Sequence, residues 1–244
     1  MSEPAVRVLP TLEEASRALA AEIDRALREA VAARGRATLV LAGGSTPRRL
    51  HEILGSEQSD LPWRRIHVFW GDERFVPHDC AQSNYRMAHR TLLDRVPVPP
   101  ENVHPWATEM PTPEDAALEL QAELERFFGC SAVAEGPPRF DVVLLGMGAD
   151  GHIASLFPDS PAIGVDNRWA IPTLAPDEPR ERITMTLPVL NAARSVHFLV
   201  AGAEKREALR CGMAEPAQPR HCPASLVRPT DGTLTWWLDE EAAP

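Results

Sequence analysis

Two hydrophobic patterns take turns along this chain, short continuous runs and longer stretches at helical spacing. Val6–Leu9 is a short apolar run that predicts a strand. Over residues 11–34, Leu12, Ala15, Leu19, Ile23, Leu27 and Val31 form the apolar stripe of an amphipathic helix. Ala37–Leu41 (ATLVL) is a continuous apolar run of strand length, broken by Gly43, Gly44, Ser45 and Thr46. Pro47 predicts the opening of a helix to about Leu54, because proline suits the first helical position after a Ser/Thr cap. Ile66–Trp70 (IHVFW) predicts a further core strand, followed by a polar loop and a helix over Ser83–Val96. A Pro-rich connection at 97–113 leads to a helix over 113–128. Phe140–Leu145 (FDVVLL) is the next buried strand, closed by Gly146, Gly148 and Gly151. Ile183–Leu187, Val196–Val200 and Leu234–Leu238 complete the strands, with a helix starting near Ala203.

Continuous apolar strands separated by helices imply a mainly parallel sheet covered on both faces. The expected fold is α/β, a Rossmann-like open sheet forming a single domain over residues 1–244. No internal repeat is visible, and the Pro/Ala/Glu patches at 134–138 and 214–219 read as surface loops. Ligands of such sheets bind at the carboxyl ends of the strands. Three polar loops are placed there, at 43–46, 71–74 and 146–152.

Composition limits the partners. The 35 acidic against 25 basic residues give a formal charge of −10, which disfavours nucleic acid and anionic membrane surfaces. No apolar run approaches the roughly 20 residues of a membrane helix, and residues 1–10 lack the pattern of a secretory signal. Cys80, Cys130, Cys211 and Cys222 are widely spaced without a CxxC pair, which excludes a disulfide scaffold and a zinc ribbon and suits a reducing cytoplasm. Every basic residue but Lys205 is arginine. A lone lysine in that background draws attention, because arginine cannot replace it wherever a compact ammonium is needed.

Each loop has two readings. Gly43-Gly44-Ser45-Thr46-Pro47 is either a phosphate cradle at a helix N-terminus or a capped tight turn. Asp72-Glu73-Arg74 offers carboxylate and guanidinium to one substrate, or is a solvated loop. Gly146-Met147-Gly148-Ala149-Asp150-Gly151-His152 matches GxGxxG, but Pro158 cuts short any helix after it and residues 168–173 hold no acid, so a dinucleotide site is rejected. The turn either presents Asp150 and His152 to the crevice, His being suited to proton exchange near neutral pH, or holds a hydrogen-bonded structural histidine. There is no GxSxG elbow and no HExxH. The other histidines have no ligand spacing that improves on a core or surface reading, and no metal or organic cofactor is expected.

Together the segments LAGGSTPRRL (41–50), FWGDERFVPHDCAQSNY (69–85), DVVLLGMGADGHIASLFP (141–158), RITMTLPVLN (182–191) and FLVAGAEKREAL (198–209) resemble the 6-phosphogluconolactonase family of the pentose phosphate pathway. The resemblance runs nearly the whole chain and implies an open sheet of the sugar-phosphate isomerase/lactonase type. It implies a sugar-phosphate lactone as substrate and a cytoplasmic monomer or small homo-oligomer. Gly44, Ser45 and Thr46, beside Gly43, would hold the substrate phosphate, with Arg182 and Lys205 completing the site. His152 would be the general base, Asp72 the substrate-orienting acid and Arg74 a partner on the base side. A δ-lactone carbonyl is already activated, so water activated by His152 suffices as nucleophile. The related amino-sugar-phosphate deaminase/isomerases carry a glutamate after the DGH turn. Here Ile153–Pro158 holds no carboxylate, which favours lactone hydrolysis. A non-catalytic sugar-phosphate-binding protein is the third reading.

Overall fold

A computed structural model describes residues 3–57, 60–130, 136–214 and 221–244 of the chain. It opens with β1 (Ala5–Leu9), α1 (Leu12–Arg34) and β2 (Ala37–Leu41). The boundaries of α1 follow from its ends. Thr11 accepts a hydrogen bond from the Glu14 amide at 3.2 Å, and Gly35 stops the helix at φ +74°, where a side chain would be strained. Next come α2 (Ser45–Ser56), β3 (Ile66–Trp70), β4 (Asp72–Arg74), α3 (Asn84–Thr91), α4 (Pro113–Phe128) and β5 (Val142–Leu145). The chain continues through β6 (Ala170–Leu174), β7 (Glu181–Met185), α5 (Leu187–Ala192), β8 (Ser195–Val200), α6 (Arg206–Gly212) and β9 (Thr233–Asp239).

Six strands form one sheet in the order β1-β9-β8-β5-β2-β3, every neighbouring pair parallel. Every residue of β2 and β5 is buried, as strands covered on both faces require. The expected α/β class is therefore found. The chain after β2 runs outward to β3, whereas β5 leads the other way to β8. Their loops part at adjacent strand ends and open a crevice there, the usual ligand position in such sheets.

A second sheet, antiparallel and in the order β4-β7-β6, was not expected. The chain reaches it through Gly71, whose amide bonds the Leu41 carbonyl at 3.0 Å while its carbonyl accepts from Met185 at 2.8 Å. The run expected as the strand Ile183–Leu187 is β7, ending at Met185 because Leu187 opens α5. β6 was passed over because Pro172 interrupts its pattern. It is an edge strand, where a missing amide is tolerated. Of the patches at 134–138 and 214–219, residues 134–135 and 215–219 lie outside the described residues. Among those described, no helix is long and apolar enough to cross a membrane.

Candidate active site

The three loops meet. A cleft of about 210 Å³ at the carboxyl ends of the parallel strands is lined by Gly43, Gly44, Ser45, Thr46, Asp72, Arg74, His152, Arg182 and Lys205. The nine residues that the family resemblance points to line one space, whereas Asp150 stands behind His152 and does not line it.

The first wall is the entry to α2. The helix begins at Ser45, two residues before the expected Pro47 start, with Gly44 as its N-cap at φ +103°. No side chain caps it, so its leading amides remain available to an anion. Gly43 is required by a neighbour. A Cβ there would lie 1.9 Å from Oδ1 of Asn84. Asn84, which the sequence reading missed, fills that space and donates to the Asp72 carbonyl at 3.0 Å.

The second wall is β4, which is a strand where a loop was expected. Alternation along a strand sends Asp72 and Arg74 to one face and Glu73 to the other. Glu73 is buried and accepts from the amides of Arg74, Asn84 and Tyr85, each at 2.8 Å. It serves the first turn of α3, and burial pushes its carboxyl up despite those bonds. Asp72 accepts from the Ser155 hydroxyl at 2.6 Å. In the antiparallel register Arg74 stands opposite Arg182. Burial and the neighbouring Arg74 charge weigh against the Arg182 cation. Arg74 and Arg182 donate to the carbonyls of Gln82 and Pro179. Neither they nor Lys205 form an ion pair among the described residues. Like charges directly across a strand pair repel. The arrangement calls for an anion between them.

The third wall is the glycine-rich turn. Nδ1 of His152 lies 2.6 Å from Oδ1 of Asp150, and the His152 amide donates to the same oxygen at 3.1 Å. A carboxylate only accepts, so in the neutral ring the proton sits on Nδ1 and the lone pair on Nε2. Burial alone would raise the Asp150 carboxyl, but the His152 ring and amide hold it below the usual range. The partner of His152 is thus Asp150; Asp72 is committed to Ser155, and Arg74 to the cationic side of the cleft. An aspartate two residues before a bonded amide is an Asx-turn signal that the sequence carried. Lys205 ends a 3-10 turn, Ala203–Lys205, directly before α6, slightly later than the helix start expected near Ala203.

His51 and His197 are core residues, pushed by burial down to about 4 and so neutral at pH 7. Among the described residues no group of three or more His, Cys, Asp or Glu side chains converges as a metal site requires.

Comparison with known proteins adds five findings. A family model described as glucosamine-6-phosphate isomerases/6-phosphogluconolactonase matches residues 10–236. The chain is 45% identical over 216 residues to the 6-phosphogluconolactonase of Synechocystis, covering 88% of this chain and 87% of that one. It is 40% identical over 223 residues to that of Mycobacterium tuberculosis, covering 89% and 88%. The solved 6-phosphogluconolactonase of Trypanosoma brucei superposes with a TM-score of 0.85 at 31% identity over 99% of this chain and 98% of that one. A monomeric glucosamine-6-phosphate deaminase shares the fold, with a TM-score of 0.80 at 19% identity over 98% of each chain.

Proposed function

The chain belongs to the glucosamine-6-phosphate isomerase/6-phosphogluconolactonase family as a lactone-hydrolysing member, and we propose that it opens 6-phospho-D-glucono-1,5-lactone by water activated at Nε2 of His152. The product is 6-phospho-D-gluconate. One observation carries this reading: an Asp150-oriented histidine shares its cleft with three cations that form no ion pair among the described residues.

Water placed between Nε2 and C1 gives its proton to His152 as the C–O bond forms. The imidazolium that results is balanced by Asp150 and returns the proton to the ring oxygen as the C1–O bond breaks. Asp72, held by Ser155, is placed to accept from a sugar hydroxyl. Ser45, Thr46 and the leading amides of α2 take the phosphate from one side, Arg182 and Lys205 from the other. Arg74, opposite Arg182, adds positive charge to that side of the cleft. With a net charge of −10 the protein repels the substrate at long range, so attraction must be local. Phe157 packs on the His152 ring, centroids 4.7 Å apart, so an apolar group occupies that face of the base. That favours lactone hydrolysis over isomerisation, which needs a second proton carrier.

Lys205 tests the phosphate assignment. Lys205→Ala is expected to raise KM for the phosphorylated lactone at least roughly tenfold, about 1.4 kcal/mol of binding. Slow hydrolysis of unphosphorylated gluconolactone should barely change. Steady-state kinetics on both substrates decides the matter, because equal losses would assign Lys205 to the fold or the chemistry.

A further inference from the structure

A second concentration of positive charge stands at the opposite end of the sheet. Arg34 ends α1, Arg36 precedes β2, and Arg64 and Arg65 close the 3-10 turn Trp63–Arg65 that leads into β3. β2 and β3 are parallel with Ala37 opposite Ile66, so the two strand entries lie side by side and Arg36 neighbours Arg65. The four arginines line a hollow of about 400 Å³ together with His67 and Asn102. The length of β2, roughly 17 Å for five residues, separates this hollow from the Gly43 end of the cleft.

On α1 the arginines of this acidic chain are neutralised: Arg17, Arg25 and Arg28 pair with Glu13, Glu22 and Asp24. In the hollow Arg34 has a carboxylate, Asp141, at 2.5 Å. Arg36, Arg64 and Arg65 form no ion pair among the described residues, although the chain carries 35 acidic residues. Like charges gathered in this way repel one another.

The hollow is also held in shape. Asp141, which fixes Arg34, is itself bound by the Thr38 amide and hydroxyl at 2.9 and 3.0 Å. Arg36 donates to the Phe127 carbonyl at 3.1 Å and lies 4.2 Å from the centroid of the Phe127 ring. The buried Asn102 side chain donates to the Arg64 carbonyl at 3.2 Å, which fixes the turn that carries Arg64 and Arg65. Burial, with His104 and Arg36 nearby, pushes the His67 ring down to about 4. His67 is therefore neutral at pH 7, and the positive charge here is that of the guanidinium groups.

We infer that this hollow is a binding site for a compact polyphosphate anion, the chemistry shared by inorganic tripolyphosphate and the triphosphate of a nucleotide. A guanidinium group donates to phosphate oxygens in pairs, and a short phosphate chain offers several such oxygens in a row. A lone phosphate carries about two charges at pH 7, fewer than the three unpaired cations. The net charge of −10 opposes an extended polyanion, so a short one matches best. Binding in the hollow requires nothing of the cleft and is independent of lactone hydrolysis.

Calorimetric titration with sodium tripolyphosphate, magnesium-free ATP and orthophosphate tests the site on wild type, Lys205→Ala and the double variant Arg64→Ala/Arg65→Ala. Tripolyphosphate and ATP should bind wild type with affinities within about threefold of one another, and orthophosphate at least roughly tenfold more weakly. The double variant should bind both probes at least roughly tenfold more weakly, whereas Lys205→Ala, altered in the cleft, should bind them as wild type does. Arg64 and Arg65 are exposed, so the circular dichroism and lactone hydrolysis of the double variant should match wild type. No binding of either probe, orthophosphate binding as strong as that of tripolyphosphate, or ATP binding without tripolyphosphate binding would overturn the site. So would lost affinity in Lys205→Ala with full affinity in the double variant, because that pattern places the anion in the cleft.

Discussion

His152→Asn is expected to lower kcat roughly a hundredfold or more while KM changes modestly. Asparagine keeps a polar group near Asp150 and adds no bulk, so the turn and the phosphate wall should survive. What disappears is the second ring nitrogen, Nε2, of a cleft-lining histidine whose Nδ1 is bonded to Asp150 at 2.6 Å. A base that acts only as the C–O bond forms contributes to the transition state and hardly to ground-state binding, hence a fall in kcat. Stopped assays on freshly made lactone, with circular dichroism to verify the fold, check this. Near-wild-type kcat at neutral pH would move the base elsewhere, with Asp72 the next carboxylate in the cleft.

Gly148→Ala should cost a comparable factor, although the added methyl group is no acid, base or ligand. A Cβ at this position would lie 2.1 Å from His152 Nδ1 and 2.4 Å from Asp150 Oδ1. Both ends of the orienting hydrogen bond must therefore move. The Gly148 amide also donates to the His152 carbonyl at 2.9 Å, so the turn cannot yield without disturbing its own closure. A displacement of about 1 Å in a catalytic group is enough for a loss on the order of a hundredfold. Inhibition by 6-phosphogluconate should persist, since the cationic wall is on other elements. A variant with wild-type kcat would show that the Asp150–His152 geometry does not limit the reaction.

Much of this architecture is legible in the chain. Ala37–Leu41 and Ile66–Trp70 were bounded correctly because continuous apolar runs between glycines and polar loops leave few alternatives. α1 was also plain, because its stripe and both ends agree. The three glycine-bearing loops were located for the same reason: strand ends at a parallel sheet edge are where ligands sit. What the pattern hid was pairing. β4 is three residues long and charged, and β6 contains a proline, so neither reads as a strand alone. Only their shared partner β7 makes them a sheet, and its contact with β4 joins segments about a hundred residues apart. The same blindness affected the site. Glu73 lies between two cleft residues in sequence yet serves α3, and Asn84 fills the space that Gly43 leaves. Asp150 was noticed beside His152, but its task became readable only from the bond between them.

Catalysed opening of the phosphorylated lactone is the central claim, and acid release measured in a pH-stat tests it most directly. Purified protein added to freshly generated 6-phospho-D-glucono-1,5-lactone should release acid well above the spontaneous rate, in proportion to protein concentration. Release no faster than buffer alone, with ammonia formed from glucosamine 6-phosphate instead, would contradict the account.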